Sequence, residues 1–261
     1  MEHPVTHPSL PSRAFPEGGI YIMRSERIYL LAVCHQIGVN GKGPHKHNDW
    51  LSFELCVDGK PVIIDPGTYC YTGNAEMRFL FRSTASHNTV VIDNDEQISF
   101  RDSMFTLANP FGETNVISWV SADEHDILEA EHTGYHRLLQ PVTHRRRFFL
   151  NKYNNEVEIT DSFLGKGIHT LEWYLHLEPG LKCRLTNKSS HIYRDEMPVV
   201  TINCPVSGAT SQVQRGWVSK AYNRREEGEV IYSRNMETNI SPHYFTWRLS
   251  IPDMNFRCAS L

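Results

Sequence analysis

Four side chains in the first third of the sequence have the types and spacing of a metal-supported site: His45, His47, Asp65 and His87. The segment GPHKHNDW sets His45 and His47 two residues apart. On an extended chain that spacing points both imidazoles to one side, ~6.5–7 Å apart along the backbone. Asp65 stands directly before a Pro66-Gly67 turn, and His87 opens the run HNTVVID after a loop containing Arg78 and Arg82. Two imidazoles and a carboxylate make a competent zinc set with one coordination position left open. The chain has 14 histidines, so a His-x-His pair also arises by accident. Asp65 as a turn cap and His87 as a satisfied core histidine are the plain alternatives.

The elements that must position these residues read as strands. From Ile20 onward, short segments rich in Val, Ile, Tyr, Phe and Thr alternate with turn residues. They include Arg27–Cys34, Trp50–Val57, Pro61–Asp65, Asn88–Ile92, Arg145–Leu150, Val157–Phe163, Leu171–Leu177 and Tyr244–Ile251. No segment keeps a helical period for more than about three turns, and crossover helices are absent, so an all-β antiparallel sandwich is expected. The sharpest local expectation is a hairpin, LSFELCV and KPVIID joined by Asp58-Gly59, because Asp-Gly supplies the positive φ of a type I′ turn. Pairing Val57 with Lys60 puts Leu51, Phe53, Leu55, Val62 and Ile64 on a core face. Ser52, Glu54, Cys56, Ile63 and Asp65 then share the other face. Residues 1–18, with four prolines, read as a linker, and Gly18-Gly19 as the entry to a domain over 19–261, with a possible smaller sub-sheet after about residue 165.

Composition narrows the function classes. A net charge of −4 argues against bulk nucleic-acid binding, which needs surplus Lys and Arg to displace counterions. Local basic groups at Arg145–Arg147 and Arg224–Arg225 are read first as solvated strand edges, though an anionic ligand stays open. Six scattered cysteines without a C-x-x-C pair point to free thiols. No apolar run of ~18 residues is present, so no membrane span is expected. The proline-rich start lacks the apolar stretch of a secretory signal.

The motifs HKHND, LSFELCVDGKPVIIDPGTY and FRSTASHNTVVID together resemble the C-terminal domain of the heparinase II/III-like polysaccharide lyases. The likeness is close over residues 43–93 and looser from Phe15–Ser25 to Leu171–Gly180. It implies a large antiparallel β-sandwich that follows an N-terminal α/α toroid, with the catalytic cleft between them. It further implies that His47, Asp65 and His87 hold one zinc, structural in role, and that His45 faces the substrate. The substrate class would be an acidic polysaccharide containing uronic acid, cleaved by β-elimination; family members are typically periplasmic or secreted. Arg82 is expected to help neutralise the uronate, with a buried ion pair as its alternative. Tyr71, beside Tyr69, is a candidate substrate contact. Asp49 and Glu54 are candidates to fix an imidazole tautomer, and Trp173 and His176 to reach the cleft, with the core as the first reading of Trp173. The family's tyrosine acid/base and its partner belong to the toroid, and this chain has no such helical stretch, so the chain alone is expected to have little or no lyase activity.

Two rival readings come from other classes. A cupin-like metal enzyme also begins with H-x-H and a glutamate, but six residues separate His47 from Glu54 and no second half matches at His87. A carbohydrate-binding or assembly module with a structural zinc would keep the same sandwich without catalysis.

Overall fold

The computed structural model describes residues 10–36, 43, 45–100, 112–203, 209–240 and 243–252. Its strands are arranged in three antiparallel sheets. The first has five strands in sequence order: β1 (Arg13–Phe15), β2 (Ile20–Arg24), β3 (Ile28–Val33), β4 (Phe53–Val57) and β5 (Lys60–Ile63). One helix, α1 (Ala75–Arg82), and a short strand β6 (Val90–Ile92) follow.

The remaining strands are β7 (Thr114–Ser121), β8 (His125–His132), β9 (Val142–Asn151), β10 (Glu156–Gly165), β11 (Ile168–His176) and β12 (Lys182–Leu185). After these come β13 (Ser189–Arg194), β14 (Met197–Asn203), β15 (Thr210–Ala221), β16 (Arg224–Asn239) and β17 (His243–Ser250). Eight of them form a sheet in the order β12-β13-β14-β17-β10-β9-β8-β7, and β15-β16-β11-β6 form the third. The stretch after residue 165 therefore feeds two sheets. One hydrophobic core runs from Tyr21 and Leu30 through Phe148 and Trp173 to Leu249 and Ile251, and joins all three sheets. The all-β antiparallel sandwich expected from the sequence is the architecture observed.

The hairpin forms with Val57 opposite Lys60, and Asp58 and Gly59 both take positive φ, +50° and +72°. Its register slips between Leu55 and Cys56, so that Leu55 faces Ile63 where Val62 was expected. Val62, Ile63 and Ile64 are consequently all buried, and Ile63 leaves the mixed face assigned to it. A bulge of this kind bends the strand, here two residues before Asp65.

Three further expectations are corrected. Arg13–Phe15, read as linker, pair with β2, so regular structure begins before Gly19; the first nine residues of that linker lie outside the described residues. Arg78 and Arg82 sit on helix α1, not in a loop. Arg146 is not at a solvated edge: β9 lies between β8 and β10, and its guanidinium is buried against Asp161 at 2.7 Å.

Candidate functional site

Three of the expected site residues, His47, Asp65 and His87, converge. His47 and His87 place their rings 5.2 Å apart. Nδ1 of His87 lies 2.7 Å from Oδ2 of Asp65, whose Oδ1 accepts the backbone N–H of Gly67 at 2.7 Å. His87 is wholly buried and His47 partly so. Burial pushes the His47 imidazole down to about 3, with the neighbouring His87 adding to the effect. Burial works in the same direction on His87 but loses to the adjacent Asp65 carboxylate, and the net shift is upward. His47 is therefore neutral, with one ring nitrogen able to act as acceptor.

His45 is exposed, and its Nδ1 lies 3.1 Å from the Tyr71 hydroxyl, the two rings meeting edge to face at 5.4 Å. Arg78 links this pair to the buried group: its guanidinium lies 4.6 Å over the Tyr71 ring and its Nη1 3.5 Å from Nε2 of His47. Thr68 Oγ1 approaches the same Nε2 at 3.3 Å.

The loop carrying His45 and His47 is fixed by buried polar groups. Arg82 is fully buried and donates Nε to the Lys46 carbonyl at 3.0 Å, while its own carbonyl accepts from Asn48 N–H. Arg82, expected either to neutralise the uronate or to form a buried ion pair, is buried with its Nε on a backbone carbonyl. Asn88 anchors the His87 segment: Nδ2 donates to the carbonyls of Phe53 and Ile64 at 2.8 Å each, and Oδ1 accepts from His176 N–H at 2.7 Å. Arg146 Nη1 donates to the carbonyls of Leu51 and Asn88, both at 2.8 Å, and so ties the end of the first loop to the second.

The other candidates sit further out. Asp49 pairs with His35 Nε2 at 2.8 Å. Glu54 is applied to the backbone of Asp65, and burial raises its carboxyl. The carboxylate that meets an imidazole of the pair is thus Asp65 and not the glutamate a cupin would use. Trp173 belongs to the core and donates Nε1 to Asp161 at 2.9 Å. His176 is buried, with Nε2 3.0 Å from the Ala85 carbonyl. Tyr69 stacks on Phe81 at 5.9 Å.

The residue types fit a zinc ion, and Nε2 of His87 is a buried polar atom with no hydrogen-bond partner, which an ion would satisfy. Among the described residues, no three His, Cys, Asp or Glu groups are placed to hold a metal as they stand. Asp65 is turned onto Nδ1 of His87, and His47 Nε2 faces Thr68 and Arg78. The contributions of Arg78, Asn88 and Arg146 were not foreseen, since each depends on contacts between segments far apart in sequence.

A family model described as heparinase II/III-like, C-terminal, matches residues 7–243. A heparin-sulfate lyase from Bacteroides stercoris is 27% identical over 216 residues, which cover 77% of this chain and 29% of that protein. Among solved structures, a heparinase III gene product superposes with a TM-score of 0.78 at 19% identity, over 97% of this chain and 38% of its own. A heparan sulfate lyase from Pedobacter heparinus gives 0.75 at 19%, over 94% and 37%. At these identities the structural likeness establishes the fold. The chain spans less than a third of the curated relative it matches.

Proposed function

Because the chain belongs to the heparinase II/III-like C-terminal family, we propose that it forms one wall of the cleft of a polysaccharide lyase acting on uronic-acid chains. The observation that carries this reading is the exposed His45–Tyr71 pair, set against the buried group of His47, Asp65 and His87 and bridged to it by Arg78.

β-Elimination at a uronate removes the C5 proton, forms the C4–C5 double bond with that electron pair, and breaks the bond from C4 to the leaving oxygen, which takes a proton. The carboxylate beside C5 makes that proton weakly acidic until its charge is neutralised. With the Tyr71 hydroxyl donating to Nδ1 of His45, the Nε2–H of the imidazole is presented outward to donate to the carboxylate. Arg78 beneath Tyr71 adds positive potential at the same place. His47, Asp65 and His87 would hold a zinc ion whose contribution is to keep this wall in shape. Arg82 supports the loop from below and leaves the substrate to His45 and Tyr71. The tyrosine that moves the proton, with its Asn or His partner, would come from an α/α toroid domain or subunit, so that the cleft lies between the two.

The test is formation of the unsaturated uronate, followed by its ultraviolet absorbance, for this chain alone and with a toroid partner. The expected result is little or no turnover alone and turnover with the partner that falls at least tenfold in His45→Ala. Robust turnover by the chain alone would contradict the divided site. Glycan affinity without product under either condition would favour the carbohydrate-binding module.

A further inference from the structure

The basic pair Arg224–Arg225 lies at the tip of the hairpin formed by β15 and β16, whose two-residue turn is Tyr222–Asn223, with Asn223 at φ +58°. That tip is docked by backbone contacts onto the segment that follows Asp65. Ser219 N–H donates to the Pro66 carbonyl and Asn223 N–H to the Tyr69 carbonyl, each at 2.7 Å, and Gly67 forms a parallel bridge with Ser219. The docking carries Tyr222 over Tyr71, with rings stacked at 6.2 Å and 18°, yet leaves Tyr222 60% exposed. Tyr71 in turn meets His45.

Arg225 is held beside this row. Its guanidinium lies 4.1 Å over Trp217 and 5.3 Å from the Tyr69 ring, and Nη1 reaches Met77 Sδ on α1 at 3.0 Å. Along the same hairpin Arg215 pairs with Glu227, Lys220 with Glu178 and Arg234 with Glu172. Among the described residues Arg225 makes no ion pair. An exposed guanidinium fixed between aromatic faces, with no carboxylate of its own, keeps its donors for an external anion. An exposed tyrosine face offers a flat apolar surface suited to the C–H face of a sugar ring.

We propose that Tyr222 and Arg225 form a second sugar subsite of the same cleft, continuous with His45 through Tyr71. Tyr222 stacks on a sugar ring adjacent to the reacting uronate, and Arg225 takes that region's anionic group, a sulfate or a carboxylate. This rests on His45 facing the substrate. It adds that selection among acidic polysaccharides is made in part by the hairpin tip, some 175 residues downstream of the histidine motif.

The test is titration of the chain with a heparan sulfate hexasaccharide and with its fully desulfated counterpart, followed by calorimetry at low salt. Tyr222→Ala is expected to weaken both ligands roughly three- to tenfold. Arg225→Ala is expected to weaken the sulfated ligand about tenfold and to reduce the salt dependence of binding. Both side chains are exposed, and unchanged thermal melts confirm that the fold is kept. A larger effect of Arg225→Ala on the sulfated ligand identifies sulfate as the anion; an equal effect on both identifies carboxylate. If both variants bind as the wild type while His45→Ala loses affinity, the hairpin subsite is wrong and the reading of His45 stands. A wild-type chain that binds neither glycan overturns both.

Discussion

The His47 and His87 imidazoles shift in opposite directions because burial dominates at His47, whereas at His87 it is outweighed by the Asp65 carboxylate bonded to the ring. His87 shares its Nδ1 with Asp65, whereas His47 has only Thr68 and Arg78 at the edge of hydrogen-bond range. The proposed zinc would give His47 and the unpartnered Nε2 of His87 a common ligand. Metal analysis of the purified chain is expected to return about one zinc, and His47→Ala to remove it with a clear loss of stability; full occupancy in that variant would contradict the assignment. Asn88 makes a separate claim. Three buried hydrogen bonds end on its amide, so Asn88→Ala should cost about 2–4 kcal/mol in urea unfolding, and a loss below about 0.5 kcal/mol would show that the hub is dispensable. The histidine spacing and the Asp65 turn were legible in the sequence because they are local. The burial of Arg82 was not, since a lone cation in a short segment carries no mark of whether a loop will lie on top of it.

At the scale of elements, the hairpin of β4 and β5 could be read from Asp58-Gly59 because that dipeptide readily supplies the two successive positive φ values of a type I′ turn. The bulge beyond it could not, as Val62, Ile63 and Ile64 are equally apolar and leave the register open. Helix α1 was missed because eight residues are too few for a periodic pattern to stand out. It is fixed by the Asn74 side chain accepting from Met77 N–H at 3.0 Å and by packing of Phe81 and its arginines. The docking of the β15–β16 hairpin requires a small residue at its closest approach. Gly67 has φ +80°, and a Cβ there would collide with the Ser219 carbonyl. Gly67→Ala therefore adds backbone strain to a clash with another strand and should cost about 2–3 kcal/mol. It should also lift Tyr222 from Tyr71, so that the affinity for acidic glycan falls with stability. Proton spectra of the two tyrosine rings would show the separation, and unchanged ring shifts would mean that the hairpin is held by other contacts.

Across the whole molecule, a buried polar chain runs through the large sheet behind the site. Gly134 N–H lies 3.3 Å from Nδ1 of His132, Nε2 of His132 lies 3.2 Å from Nδ1 of His144, and Nε2 of His144 lies 2.7 Å from Oδ1 of Asp161. Asp161 also accepts from Arg146 and Trp173, and Arg146 clamps the two site loops. Read from the Gly134 end, each link has one donor and one acceptor only if both histidines are neutral and protonated on Nε2. The pKa directions agree. Burial first, then the neighbouring His144 that would repel a second proton, holds His132 well below the ordinary imidazole value, and burial lowers His144 despite Asp161. Burial favours a protonated Asp161 but is outweighed by Arg146 and His144, so its carboxyl is lowered. The sign of the linkage follows. Below about pH 6.5 the unfolded chain takes up protons on these histidines that the native state refuses, so stability falls as pH falls. His176, lowered to about 4 by burial, adds to the trend, while His47 and His87 shift in opposite directions and oppose each other. Asp161 adds a further loss below about pH 4, as the folded carboxylate is forced to protonate. Urea unfolding between pH 8 and 5 should thus give a plateau, then a decline steeper than the ~1.4 kcal/mol per pH unit of a single proton. A flat profile from pH 7 to 5 would mean that the histidines are charged in the core. The relay would then need a second carboxylate, which the described residues around His132 and His144 do not supply.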